Sequence, residues 1–169
     1  SMRAELNASA IGTTMALQPA RPENGMLWNR PAAEGFDALW NGSFLDPLFE
    51  GVYPGAALPM IGGALKDGDL DSIRQPVDFL GVNYYSPTTI KLDLGSPSRI
   101  APGAPPKSAP RDAFGREIDP SGLYDMLDRL RTRYGNPLVY ITENGCSDPF
   151  SDGAAILDDG FRIDYLRAH

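Results

Sequence analysis

The chain has 169 residues, 42% of them hydrophobic, and its 15 Lys and Arg against 22 Asp and Glu give a formal net charge of −7. A chain of this size can bury about 68 to 70% of its unfolded surface, so one compact unit is the expectation. The acidic balance repels nucleic-acid phosphates and anionic lipid headgroups, which argues against either as a partner.

The single cysteine, Cys146, excludes an internal disulfide framework and, beside a single histidine, makes a structural zinc site improbable. That histidine, His169, is the last residue, where side chains are usually mobile, so a Ser-His-Asp or Cys-His nucleophile is not expected. No apolar run approaches the roughly 18 to 20 residues of a bilayer span, and "SMRAELNASA" lacks a basic start followed by an apolar core. A cytoplasmic protein is expected, with Ser1 an addition ahead of Met2. The 18 Gly and 16 Pro predict turns and long loops rather than a helical bundle.

In chain order, "AIGTTMAL" (10–17) is short, apolar and β-branched, and the Gln18-Pro19 step disfavours helix, so a buried strand is predicted. The polar "QPARPENG" reads as loop. Between Pro31 and Leu48, Phe36, Leu39, Trp40, Phe44, Leu45 and Leu48 recur at helical spacing, with a bend expected around Gly42 and Pro47. "GVYPGAALPMIGGA" reads as loop with a helical turn, and "DLDSIRQP" as a short helix stopped by Pro76. "VDFLGVNYY" (77–85) is the second strand, apolar on both faces as in a covered parallel sheet. Residues 86–120 form a long Pro-, Gly- and Ser-rich excursion with a short hairpin at "TTIKLDL". Leu123, Leu127, Leu130 and Tyr134 then share one face of a helix over 120–135, closed by Gly135. "PLVYITENG" is the third strand and "DDGFRIDYLRAH" opens another helix.

Strands alternating with helices imply parallel strands in a barrel or a doubly wound sheet, and both folds handle ligands at the C-terminal strand ends. Asn83, Tyr84, Tyr85 and Glu143 stand at such ends, whereas Asp78 lies near the opposite end of its strand and reads as structural. Taken alone, a Glu before Asn-Gly is more often a turn carboxylate than a catalytic one. Tyr84 reads as ordinary strand packing. Neither GxGxxG nor GxxxxGK[ST] occurs, so "GVYPG" and "IGGA" are turns rather than phosphate loops.

"FLDPLFEGVYP", "DFLGVNYYSP" and "NPLVYITENG" together resemble glycoside hydrolase family 1, the β-glucosidase and β-glycosidase family of (β/α)8 TIM barrels. "ITENG" matches the signature around that family's nucleophile, and "DGFRIDYLRAH" resembles the helix after it. The resemblance covers about residues 10–169 and implies an α/β fold, here an incomplete barrel segment covering strands five to seven, read as one partial domain over 1–169. It implies that Glu143 is the nucleophile of a retaining hydrolysis of β-glycosidic bonds. Asn83 and Tyr85 would line the sugar site, Tyr85 donating a hydrogen bond to Glu143, with no metal or cofactor.

The family's acid/base motif, Thr-x-Asn-Glu-Pro, is absent, as are the early strands and the tryptophan-rich segment that complete the sugar pocket. Asp112, Glu117 and Asp119 lie in the long loop, where the family often has Trp at the position of Arg116; as loop carboxylates they are expected to be solvated rather than to substitute for the acid. A (β/α)8 barrel takes about 250 residues and seldom fewer than 200. The expectation is therefore a segment with two open sheet edges and an uncovered inner face, needing a complementary barrel segment or self-association. The alternative is an inactive carbohydrate-binding or assembly piece with Tyr84, Tyr85 and Trp40 as platforms.

Overall fold

The structure is a computed structural model and describes residues 9–148 and 159–169. Most of "SMRAELNASA" and the Asp158 start of the last helix lie outside the described residues. Six strands are described: β1 (Gly12–Ala16), β2 (Ala20–Pro22), β3 (Phe79–Asn83), β4 (Thr88–Leu92), β5 (Ile100–Pro102) and β6 (Val139–Glu143). The helices are α1 (Arg30–Asp37), the single turn α2 (Leu58–Ile61), α3 (Asp69–Ile73), α4 (Pro120–Arg133) and α5 (Gly160–Ala168).

β1, β3 and β6 form one sheet in that order, all parallel, running from Gly12 opposite Phe79 to Asn83 opposite Glu143. Neighbours in space are thus neighbours in the strand sequence predicted from hydrophobic patterning. The β3–β6 register shifts between Val82 and Asn83, where the strand ends reach the site.

Side chains alternate between the faces of a strand. On one face Leu80, Val82 and Tyr84 are fully buried, packed with Leu17, Leu45 and the Leu123, Met126 and Leu130 stripe of α4. Burying each such apolar side chain stabilises by about 1.5–3 kcal/mol relative to exposure. Asp119 caps α4 by accepting from the Ser121 N–H at 3.0 Å, Pro120 fills the first turn, and Arg131 and Arg133 oppose the negative end of the helix dipole. Arg129 ties α4 to α1 through both carboxylate oxygens of Asp37, at 2.7 and 2.8 Å.

The predicted bend after α1 is present: the helical path continues through wide π-type turns at Ala38–Gly42 and Asp46–Glu50, the second containing Pro47. A ring that cannot donate to the preceding turn forces such a widening. The turn at Leu58–Ile61 and the helix at Asp69–Ile73 also match the sequence reading.

The opposite sheet face carries Thr14, Phe79, Gly81, Tyr140 and Thr142. The Phe79 and Tyr140 rings meet edge to face at 5.3 Å, and Gly81 leaves space that a Cβ would take from the Thr14 and Thr142 side chains. Thr14, Ala16, Tyr140, Thr142 and Glu143 are exposed, so the covered sheet suggested by the apolar β3 is covered on the helix side of that central strand, although Ile141 of the β6 edge stays 44% exposed there, and is open on this one. At the β1 edge the Trp40 indole N–H donates to the Ala16 carbonyl at 2.9 Å, satisfying a group that would otherwise face solvent.

Three sequence expectations are corrected. "QPARPENG" is not all loop: Ala20–Pro22 pairs in parallel with β4, and β4 pairs antiparallel with β5. The hairpin therefore spans Thr88 to Pro102 rather than "TTIKLDL" alone, within a second three-stranded sheet. Three-residue strands rich in Pro carry no readable period, and only packing of Ile90 on Ala32 and Ala33 of α1 reveals them. His169 is not loose either: its ring stacks on Tyr165 at 3.9 Å and its Nδ1 lies 2.9 Å from the Tyr165 carbonyl.

Candidate active site

Parallel strands present their last residues at one end of the sheet, and here β3 and β6 bring the three candidate residues together. The Tyr85 hydroxyl donates to Glu143 Oε2 at 2.7 Å. Asn83 pairs with Glu143 in register, and its Oδ1 accepts from the Thr142 hydroxyl at 2.6 Å. The Glu143 carbonyl accepts from the Tyr84 N–H at 2.9 Å, which holds the two strand ends together beyond the register shift. Glu143 is exposed, Asn83 and Tyr85 half-buried. The hydrogen bond to Glu143 raises the Tyr85 phenol above its ordinary value.

The sequence reading missed the groups that brace this pair. Asn144 Nδ2 donates to the Tyr84 carbonyl at 2.9 Å and to the Tyr165 hydroxyl at 3.0 Å; that hydroxyl in turn donates to the Tyr85 carbonyl at 3.3 Å. Tyr165 of α5 thus locks the turn after Glu143 to the end of β3. Nothing in the spacing of "FRIDYLRAH" marks Tyr165, because the contact crosses 80 residues.

Tyr84 faces the helices, fully buried, its hydroxyl donating to the Asp119 carbonyl at 2.6 Å. It cannot be a sugar platform, and its reading as packing is the one observed. Trp40 remains partly exposed and lines a cavity of about 270 Å³ with Thr14, Met15, Ala16, Leu17 and Phe44, at the β1 edge of the sheet rather than beside Glu143. Asp78 accepts the Ile11 N–H at 2.7 Å at the far end of the strands, a structural role as expected.

The loop carboxylates each have other work. Asp119 caps α4 and pairs with Arg21 at 3.3 Å. Glu117 lines a separate cleft with Arg21, Asn24, Thr89 and Pro106; burial and the nearby Asp119 raise its carboxyl above the ordinary value. Asp112, expected to be solvated, is buried at 6% exposure. Burial alone would push its carboxyl up, but hydrogen bonds from the Arg116 side chain and from the Arg116 and Ser147 backbone outweigh it and leave it below the usual carboxylate range.

Among the described residues no helix is long and apolar enough to cross a membrane, and no three His, Cys, Asp or Glu side chains gather as a metal site.

A parallel α/β sheet packed on helices by one face, with a carboxylate and a phenol hydrogen-bonded at its C-terminal edge, is the architecture of a barrel-type enzyme segment. The family model described as Glycosyl hydrolase family 1 matches residues 1–169, and the chain belongs to that family of glycoside hydrolases. The chain is 37% identical over 192 aligned residues to a bifunctional β-D-glucosidase/β-D-fucosidase of Bifidobacterium breve, with all of this chain and 40% of that protein covered. It is 40% identical over 131 residues to a 1,4-β-D-glucan glucohydrolase of Thermotoga neapolitana, covering 75% of this chain and 30% of that one. Among solved structures, a β-glucosidase of Exiguobacterium marinum superposes with a TM-score of 0.88 at 28% identity over 99% of this chain and 40% of that one. The family 1 β-glucosidase of Thermotoga maritima gives 0.82 at 31% identity over 96% and 37%. The chain thus spans about 40% or less of the length of these relatives, and its sheet is a part of a barrel rather than a closed one.

Proposed function

We propose that the chain carries the nucleophile half of a retaining β-glycosidase site, with Glu143 as nucleophile and Asn83 and Tyr85 as sugar-site residues. The observation that carries this reading is the 2.7 Å hydrogen bond from Tyr85 to an exposed Glu143 at the C-terminal strand ends. Glu143 attacks the anomeric carbon as the glycosidic C–O bond breaks, and the leaving oxygen takes a proton from an acid that another segment supplies. Water then hydrolyses the glycosyl ester with retention of configuration. Tyr85 holds the anion in place without protonating it.

A retaining pair needs a second carboxyl about 5–5.5 Å from the nucleophile. Asp112 and Asp119 are held in structural hydrogen bonds and Glu117 lines another cleft, so the acid comes with the strands that would cover the open face at Thr14, Tyr140 and Thr142. The same engagement of the loop carboxylates favours a second reading, a carbohydrate-binding or assembly piece without hydrolysis.

The test supplies the missing barrel strands from a family member as a separate polypeptide, then adds a 2-fluoro-glycoside inactivator and measures intact mass. Labelling that disappears in Glu143→Gln supports the nucleophile. Glucoside binding by calorimetry without labelling or hydrolysis of an aryl glucoside supports the second reading instead.

A further inference from the structure

The loop at Asp112–Arg116 reaches across to the Tyr85 ring and to the residues just after Glu143. The Arg116 Nε donates to Asp112 Oδ2 at 2.8 Å, and an Nη on the same edge of the guanidinium forms an ion pair with that oxygen at 2.7 Å. The guanidinium carbon stands 4.9 Å from the Tyr85 ring centre and 5.4 Å from that of Phe114. Asp112 has further partners: its Oδ1 accepts from the backbone N–H of Phe114 at 3.0 Å and of Arg116 at 2.9 Å, and its Oδ2 from that of Ser147 at 3.3 Å. Ser147 also accepts, through its hydroxyl from the Phe114 N–H at 3.1 Å and through its carbonyl from the Ala113 N–H at 3.3 Å.

We propose that Arg116, clamped by the buried carboxylate of Asp112, is a positioning residue that sets the Tyr85 ring against Glu143. Asp112 is the fixed point: it orients the guanidinium beneath the ring and also holds Ser147, four residues beyond Glu143. The inference rests on the reading of Glu143 as nucleophile, but its geometry is testable without catalysis.

The physical argument begins with Asp112. A buried carboxylate is stable only when its lone pairs are filled, and here two backbone N–H groups of its own loop, one from the Glu143 side and the Arg116 Nε fill them, with the guanidinium charge beside Oδ2. A guanidinium held along one edge by a hydrogen bond and an ion pair is a fixed plane, unlike a lysine ammonium on a free stem, and a fixed plane can define the tilt of an aromatic ring. With its charge matched by Asp112, Arg116 offers Tyr85 a stacking surface more than a free cation. Glu143 has a flexible side chain at an exposed strand end, so the angle of the Tyr85 hydroxyl decides where the carboxylate oxygen rests. A 1 Å drift there weakens attack geometry disproportionately.

The test is spectrophotometric titration of the phenols in the 169-residue chain, with the Tyr85→Phe difference isolating Tyr85 from the other six of the seven tyrosines. Glu143 and Arg116 are the charged groups that act on this phenol among the described residues: the first raises its titration point, the second lowers it. In Arg116→Gln, a tilted ring loses its bond to Glu143, and the titration point falls back toward the ordinary value of about 10. If Arg116 were only a nearby charge, the same variant would move Tyr85 further up; a rise or no change overturns the proposal. Asp112→Asn lowers the Tyr85 point with Arg116 still present if the clamp is what orients it, and an unmoved Tyr85 in a folded Asp112→Asn overturns the clamp. Circular dichroism establishes folding for each variant, and Arg116→Gln decides alone if Asp112→Asn does not fold. Arg116→Lys, which keeps charge but not the fork, behaves like Arg116→Gln. Absence of 2-fluoro-glycoside labelling in the complemented wild-type chain, with the Tyr85 titration falling in the variants as expected, would sink the nucleophile reading and leave the positioning geometry intact.

Discussion

The two faces of the β1-β3-β6 sheet are built from the same fifteen or so residues of alternating strand and are not equally finished. On the helix face Leu80, Val82 and Tyr84 are sealed by α4 and the residues after β1, with 0% of their surface left to solvent. On the other face Tyr140 is 53% exposed and Thr14, Thr142 and Glu143 are open. Local chain supplies its own cover on the outside of a barrel, because each strand is followed by the helix that packs on it. The inside is covered only by strands from across the barrel, which are distant in sequence. The strand ends that carry Asn83 and Glu143 therefore open onto the less finished face.

That contrast can be broken or sharpened by experiment, and the largest expected effect is chemical. Glu143→Gln, in a complemented sample, should bring 2-fluoro-glycoside labelling to background, since the amide cannot form the glycosyl ester. Labelling that persists at full yield would move the nucleophile to another residue.

Next comes packing. Leu80→Ala, at a position with no exposed surface, should destabilise the chain by about 2–5 kcal/mol in urea unfolding. Tyr140→Ala on the open face should cost no more than the about 0.5–1.5 kcal/mol of its edge-to-face contact with Phe79. Equal losses would mean that the open face is covered in solution, and concentration-dependent stability would then point to self-association.

The helix face also carries the alkaline limit. Burial raises the Tyr134 phenol to about 12 and holds Tyr84 higher still than its ordinary value. A raised phenol binds its proton more tightly in the folded state, so this stability is complete below about pH 10 and is lost as pH rises toward the folded value. The urea midpoint should be flat from pH 7 to 9 and fall steeply by pH 11. The smallest effect is at the sheet edge. Trp40→Phe keeps the apolar ring stacked on Phe36 but leaves the Ala16 carbonyl without its donor, a loss of about 0.5–1.5 kcal/mol in the same unfolding measurement.

Much of this was legible in the residues. The α4 stripe, its Asp119-Pro120 start and its Gly135 stop are local signals of period 3.6 and backbone chemistry, and they came out where expected. The three strands of the main sheet were legible because each is an apolar run long enough to stand out. The second sheet was not, because Ala20–Pro22 and Ile100–Pro102 are each too short for a period to appear.

By itself, the sequence indicated which strands run parallel and that Asn83, Tyr85 and Glu143 stand together at their C-terminal ends, because parallel strands deliver their last residues to one edge. It also carried the family, through motifs that are contiguous in the chain. Only the tertiary structure decided that Asp112 is buried rather than solvated and that Tyr165 and Arg116 brace the Tyr85–Glu143 pair. Those roles come from contacts across 21 to 80 residues, whose partners share no local pattern, and a carboxylate's burial depends on which backbone donors the fold brings to it.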